Sequence, residues 1–369
     1  MMEIIKVIAD MILEHIKDYK LEKYQYQEVQ CSLVTRKEEN IKFCNQYFDL
    51  FFNKKEQNIV QRYCVIILNE NTIYQCLSNE YKGQGMWEKK DFIICCKKAS
   101  EGKCEYVYYL ILQEMNIVIL ITNEFQDYRE YCAMRLIRQL ILIGLQNNDW
   151  LFFHAACISC QEKGVGIIGN KKTGKTTSLF NLLINGEFEF VSNDKIAIKE
   201  IDGDIKIISF PISAGVRIGT LNCFQQLRVL NEEIPQDFSP DEFNAILAKK
   251  KDCDKRVFFS IRDIKNHLGV NIVNECTLHS LILPHYNQAY TISQRIKVVE
   301  KDKKKILQEQ ILSVEREELS FLHVFVKKRK MDDLPAKLLE KDIFIINQNE
   351  RTNDSTITQV NEILNLKKM

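Results

Sequence analysis

The stretch "GVGIIGNKKTGKTTSLFNLLING", residues 164–186, decides how this chain is read. Gly169, Asn170, Lys171, Lys172, Thr173, Gly174, Lys175 and Thr176 meet every fixed position of the phosphate-loop pattern G-x-x-x-x-G-K-[ST]. The flanks are those the pattern requires. "VGIIG" ahead of it is an apolar strand. "TTSLFNLLING" behind it spaces Leu179, Leu182 and Leu183, and Phe180 and Ile184, as one helix would, with Gly186 placed to end it.

Each residue type has a physical reason. The two glycines permit backbone angles that turn successive N–H groups inward and form an anion nest. Lys175 supplies a fixed cation for β- and γ-phosphates, and the Thr176 hydroxyl is a ligand for Mg²⁺. A helix starting at Thr176 points its positive end at the same phosphates. Thr177, in the first helical turn, joins the nucleotide-binding set. Lys171 and Lys172 either add phosphate charge or face solvent.

Working outward, "WLFFHAACIS" reads as a buried strand, "QEKG" as a tight turn, and "EFEFVSND" as a strand ending in polar residues. "DIKIISF", "RVFFSI" and "LHSLILP" add strands, and "VNEILNLKK" reads as a closing helix. Up to Thr122, "CVIIL", "TIYQCL", "FIICC", "YVYYLILQ" and "NIVILI" all have strand character, split by polar turns. "DYREYCAMRLIRQLILIGL" then reads as a helix that "QNNDW" ends. Two domains are expected: residues 1–147, a β-rich α+β module closed by a helix, and residues 148–369, an α/β nucleotide-binding domain.

Composition narrows the class. Hydrophobic residues make up 46% and charged residues 27% of the 369 residues, enough apolar material for one large or two medium cores. Lys and Arg (51) nearly cancel Asp and Glu (50), so no global field favours nucleic acid or an anionic membrane. "MMEIIKVIADMILEHIKDYK" interleaves acids with apolar residues as an amphipathic helix, unlike a secretory signal. The most apolar run, 106–121, is too short and polar to span a bilayer. The 13 cysteines are therefore expected as reduced thiols in a cytoplasmic protein. Cys157 and Cys160 form C-x-x-C, but three apart on a strand they face opposite ways, so buried thiols are expected rather than a metal site. "KKRK" (327–330), with "EREE" (315–318) nearby, reads as a solvated charge run.

Among phosphate-loop proteins, GTPases need D-x-x-G and N/T-K-x-D downstream, and ABC ATPases need an LSGGQ-like signature. Neither is present, and no apolar run ends in the Asp-Glu pair of a motor ATPase. A small kinase is the class that remains.

The histidine 15 residues ahead of the loop, His154, and the "SND" beyond its helix make the pattern more specific. His154 on a strand, a hairpin, the loop, and then Asn193-Asp194 at a strand end resemble the HPr kinase/phosphorylase superfamily over roughly residues 148–300. The core of that superfamily is related in fold to phosphoenolpyruvate carboxykinase. "RLIRQL" ahead of "HAA" is similar to HPr-kinase-like proteins found beside ribosomally made peptide gene clusters. "FPISAGVRIGTL" (210–221) and "LHSLILPHY" (278–286) are similar to later segments of the same group.

The resemblance implies an ATP- and Mg²⁺-dependent kinase that phosphorylates a Ser or Thr hydroxyl of a peptide or small protein. His154 matches the family histidine that assists proton movement near the transferring phosphate. Asp194 matches the second residue of the acidic pair, which accepts the hydroxyl proton or holds the metal. Asn193 stands where the family has its other Asp; it can ligate a metal but cannot take a proton. Arg217, in "GVRIG", is a candidate for neutralising transition-state charge. Members often assemble, so a homo-oligomer is an expectation. The alternative is an ATP-binding regulatory or assembly protein with little phosphotransfer, which Asn193 permits.

Overall fold

The computed structural model describes residues 8, 10, 14, 16–52, 58–98, 106–123, 129–233, 256–287, 290–312, 319–327, 334–348 and 353–365. The chain is mixed α/β and forms two compact units, Met1–Asp149 with Ser313–Lys328, and Trp150–Leu312 with Arg329–Met369. Ser313–Lys328 belongs to the first unit because its aromatic side chains bury there. Phe321 packs on Tyr109 with ring centroids 4.7 Å apart, and Phe325 on Tyr63 at 5.7 Å.

The first unit contains β1 (Lys20–Tyr26), β2 (Val29–Thr35), α1 (Glu38–Phe48), β3 (Gln61–Asn69), α2 (Asn71–Glu80), β4 (Gly85–Glu88), β5 (Ile93–Lys98), β6 (Tyr106–Leu112), β7 (Ile117–Thr122) and α3 (Arg129–Asn147). Its sheet runs β1-β2-β3-β7-β6-β5-β4. The β2–β3 and β3–β7 pairs are parallel and the rest antiparallel. Strand β2 alternates buried and half-buried residues along its whole length, the period-two signature of a sheet with one face on a core.

One expected strand is a helix. "TIYQCL" lies inside α2, where Ile73 and Leu77, four apart, bury together against the sheet. Its apolar residues fit both periods over so short a run, and packing on β7 selects the helical one. The expected amphipathic helix at residues 1–20 and the "EREE" run lie outside the described residues, apart from residues 8, 10, 14 and 16–20. Residues 328–330 of "KKRK" also lie outside them.

The second unit contains β8 (Leu151–Phe153), β9 (Ala156–Cys160), β10 (Lys163–Ile167), α4 (Lys175–Asn185), β11 (Glu189–Ser192), β12 (Ile196–Ile201), β13 (Asp204–Ile208), β14 (Ala214–Arg217), α5 (Ile218–Cys223), α6 (Gln225–Glu233), β15 (Arg256–Phe259), α7 (Ile261–Leu268), β16 (Glu275–Tyr286), β17 (Gln294–Lys297), α8 (Glu300–Gln308), α9 (Ala336–Glu340), β18 (Asp342–Gln348) and α10 (Asn353–Ile363). The main path of its sheet is β11-β9-β10-β16-β13-β12-β8. Strand β18 pairs with the far half of β16 and with β17, and β14 and β15 form a separate ribbon. The core is built from Cys157, Ile168, Val191, Ile207, Leu281, Ile343 and their neighbours. No helix among the described residues is long and apolar enough to cross a membrane.

Two local differences from the sequence patterning bear on the site. "WLFFHAACIS" is two strands. β8 pairs with β12, whereas β9 pairs with β10 and β11, and His154 sits at the break. Continuous apolarity hides such a break because both pieces are buried. The closing helix α10 starts at Asn353, ahead of the "VNEILNLKK" run. The turn at Gln161-Glu162 puts both residues at positive φ (52° and 64°), the backbone of a two-residue hairpin between Cys160 and Lys163.

Candidate functional site

Strand β10 lies parallel to β16, and the ladder ends where the Ile168 N–H donates to the Ile282 carbonyl at 2.9 Å. Pro284 is two residues further along and faces the same side, where the neighbouring chain has already left the sheet as the loop. Its missing N–H therefore forfeits no ladder bond. The loop from Gly169 to Gly174 then delivers the chain into α4.

Both motif glycines are required by the backbone. Gly169 has φ +134°, and a Cβ there would lie 2.8 Å from Thr173 Oγ1. Gly174 has φ +99°, with a Cβ meeting Gln348 Nε2 at 3.4 Å. Thr173 closes the loop on itself, its hydroxyl donating to the Asn170 carbonyl at 3.0 Å. Asn170, Lys171 and Lys172 are exposed, while Thr173, Thr176 and Thr177 are half-buried. The Lys175 ammonium is buried beneath the loop and donates to the carbonyls of Gly169 (2.5 Å) and Asn170 (3.1 Å).

Burial pushes the Lys175 ammonium down to about 8; the Asp194 carboxylate raises it, and Arg217 and Arg256 lower it further. Lys175, Asp194 and Arg256 also act on His154. Its Nδ1 lies 3.6 Å from Asp194 Oδ1, with the two side chains 27% and 40% exposed, so both can meet a substrate. That distance is an electrostatic contact rather than a hydrogen bond. Burial holds the His154 imidazole below its usual value. Lys175, Lys171 and Arg256 act in the same direction, and Asp194 opposes them. The shift favours the neutral ring, the form able to accept a proton.

Asn193 and Asp194 occupy the turn between β11 and β12. Ser192 Oγ donates to the Lys195 carbonyl across that turn. The Oδ1 of Asn193 is buried with no hydrogen-bond partner, and an orphaned oxygen of this kind in a polar site fits a ligand role. Among the described residues no group of three or more His, Cys, Asp and Glu is placed to hold a metal ion. Magnesium asks for less, since it is commonly held by one or two carboxylates together with phosphate oxygens and water. The oxygens that could serve one are the Thr176 hydroxyl, Asn193 Oδ1 and the Asp194 carboxylate.

Three residues at the site carried no functional signal in the sequence. Gln310, 3% exposed, joins the two halves of the motif. Its Oε1 accepts from the Gly169 N–H at 3.0 Å and its backbone carbonyl accepts from the His154 N–H at 2.8 Å. Gln348 donates from Nε2 to Ser178 Oγ in α4. Arg256 is the register partner of Arg217 on the β14–β15 ribbon. Helix α5 follows Arg217 directly and is tied to the loop helix by Thr220 Oγ1, 3.0 Å from Thr177 Oγ1. Pairing partners tens to hundreds of residues away leave no local pattern to find.

Replacing Gln310 with Leu would leave the buried Gly169 N–H without an acceptor. The expected cost is about 1–3 kcal/mol of folding stability, read as a lower urea midpoint at unchanged slope. An unchanged midpoint would show that the bond contributes nothing. Cys157, fully buried beside Cys276, has its thiol pushed well up by burial and behaves as a packing residue; Cys160 ends the strand half-buried. No disulfide links the described cysteines.

No protein-family profile matches the chain. No curated protein matches it. Among solved structures the chain is similar to the Hpr(Ser) kinase/phosphatase from Coxiella burnetii, with 10% sequence identity, 58% of this chain and 97% of that chain covered, and a TM-score of 0.26. The chemistry of the site is accordingly read from its own residues.

Proposed function

We propose that the chain is an ATP- and magnesium-dependent kinase that transfers phosphate to a Ser or Thr hydroxyl of a peptide or small protein. One observation carries the reading: the His154–Asp194 pair meets the buried loop lysine, Lys175, in one electrostatic cluster. The resemblance of His154, the loop and Asn193-Asp194 to the HPr kinase/phosphorylase pattern supports it.

The loop amides and Lys175 bind the β- and γ-phosphates, with Asn170, Lys171, Lys172, Thr173 and Thr177 completing the cradle. Thr176, Asn193 and Asp194 would hold magnesium, which would supply positive charge to offset that of the phosphates. Asp194 takes the proton given up by the acceptor hydroxyl as its oxygen bonds the terminal phosphorus and the bond to the departing diphosphate breaks. Neutral His154 orients that carboxylate and receives the proton in turn. Arg217 spreads the charge on the transferring group.

The test is incubation with [γ-³²P]ATP and Ser- or Thr-containing peptides, expecting label on the hydroxyl. Tight ATP binding with no label on any acceptor would remove the kinase reading. It would favour the nucleotide-binding regulatory role that Asn193, in place of a second carboxylate, permits.

The Lys175 value fixes a pH dependence. Its folded pKa is depressed to about 8, so the cation is present below that pH and lost above it. Phosphate binding then requires proton uptake, and nucleotide Kd is expected to rise by up to about tenfold per pH unit above pH 8. Calorimetry in buffers of different ionisation enthalpy checks this; a flat Kd from pH 7 to 9.5 would refute it.

A further inference from the structure

Among the described residues, Lys171, Lys175, Arg217 and Arg256 are cations acting on His154 or Lys175, and Asp194 is the carboxylate that acts on both. Two of these cations stand together at the ribbon end. Arg217 and Arg256 stand opposite each other in register, Arg256 exposed and Arg217 half-buried. The Thr177–Thr220 contact moors this end of the ribbon to the loop helix.

We infer that Arg256, with Arg217 beside it, receives a carboxylate of the acceptor, so that the preferred substrate is a peptide whose hydroxyl residue is flanked by Asp or Glu. This rests on the kinase reading and names its substrate class. A planar guanidinium fork suits a carboxylate, which it grips through two parallel N–H···O bonds. An exposed arginine beside a buried lysine separates the tasks: Lys175 serves the nucleotide beneath the loop, and Arg256 meets a partner arriving from solvent.

The experiment is a charge swap. Two peptides with one Ser, flanked by Asp and Glu or by Lys, are titrated by fluorescence anisotropy onto the full chain with a non-hydrolysable ATP analogue, and both are assayed for transfer. Wild type is expected to bind the acidic peptide at least about tenfold more tightly. Arg256→Glu should invert the preference and Arg256→Gln abolish it. Equal binding of the two peptides by wild type, or an acidic preference surviving both substitutions, overturns the inference. Transfer to both peptides alike overturns it while leaving the kinase reading intact. Charge-swapped binding without any transfer upholds the anion site and removes the kinase.

Discussion

Asp194→Asn is expected to slow phosphoryl transfer by about a hundred- to ten-thousand-fold while nucleotide affinity changes little. The substitution keeps a metal-ligating oxygen and the shape of the side chain, but removes the only carboxylate beside His154 among the groups acting on it. Its neighbour cannot compensate, because the Asn193 amide is too weak a base to take the proton. His154, held neutral by burial and nearby cations, keeps a weaker route for the proton, so the residual rate should disappear in the His154→Ala, Asp194→Asn double variant. Single-turnover assays with labelled ATP measure the effect. A wild-type rate in Asp194→Asn would show that the carboxylate takes no part in transfer.

Lys175→Met is expected to weaken nucleotide binding by about 30- to 150-fold, roughly 2–3 kcal/mol, the contribution of hydrogen bonds to a charged partner. Folding should not suffer in proportion. The ammonium is buried and its pKa depressed, so the folded state already bears a cost for holding the charge. An apolar side chain of similar length relieves that cost and forfeits only the bonds to the Gly169 and Asn170 carbonyls. Isothermal titration and thermal melting on the same sample separate the two effects. Retained affinity would exclude Lys175 from phosphate binding, and a collapse in melting temperature would make it a structural residue.

Local pattern was enough for the elements on either side of the loop. The strand Lys163–Ile167, the helix Lys175–Asn185 and the strand Glu189–Ser192 follow from runs whose periodicity and caps agree. The glycines of the motif are likewise legible, since a positive φ at Gly169 and Gly174 is a demand that sequence satisfies residue by residue. Period alone was ambiguous in "TIYQCL", where six residues fit strand and helix equally and packing on the sheet decided. Apolarity alone concealed the break at His154, because β8 and β9 are both buried but pair with different strands.

What the sequence by itself determined is the phosphate loop with its flanking strand and helix, and the residue types His154, Asn193, Asp194 and Arg217 that could serve it. These depend on interactions a few residues apart. What only the tertiary structure decided is the company they keep: Gln310 joining His154 to Gly169, Gln348 against Ser178, and Arg256 across from Arg217. Those contacts span from 39 to 170 residues of chain. They come together only when sheet pairing and burial of the core have closed the intervening loops, a step whose entropy is met by the fold as a whole and leaves no mark on any short stretch.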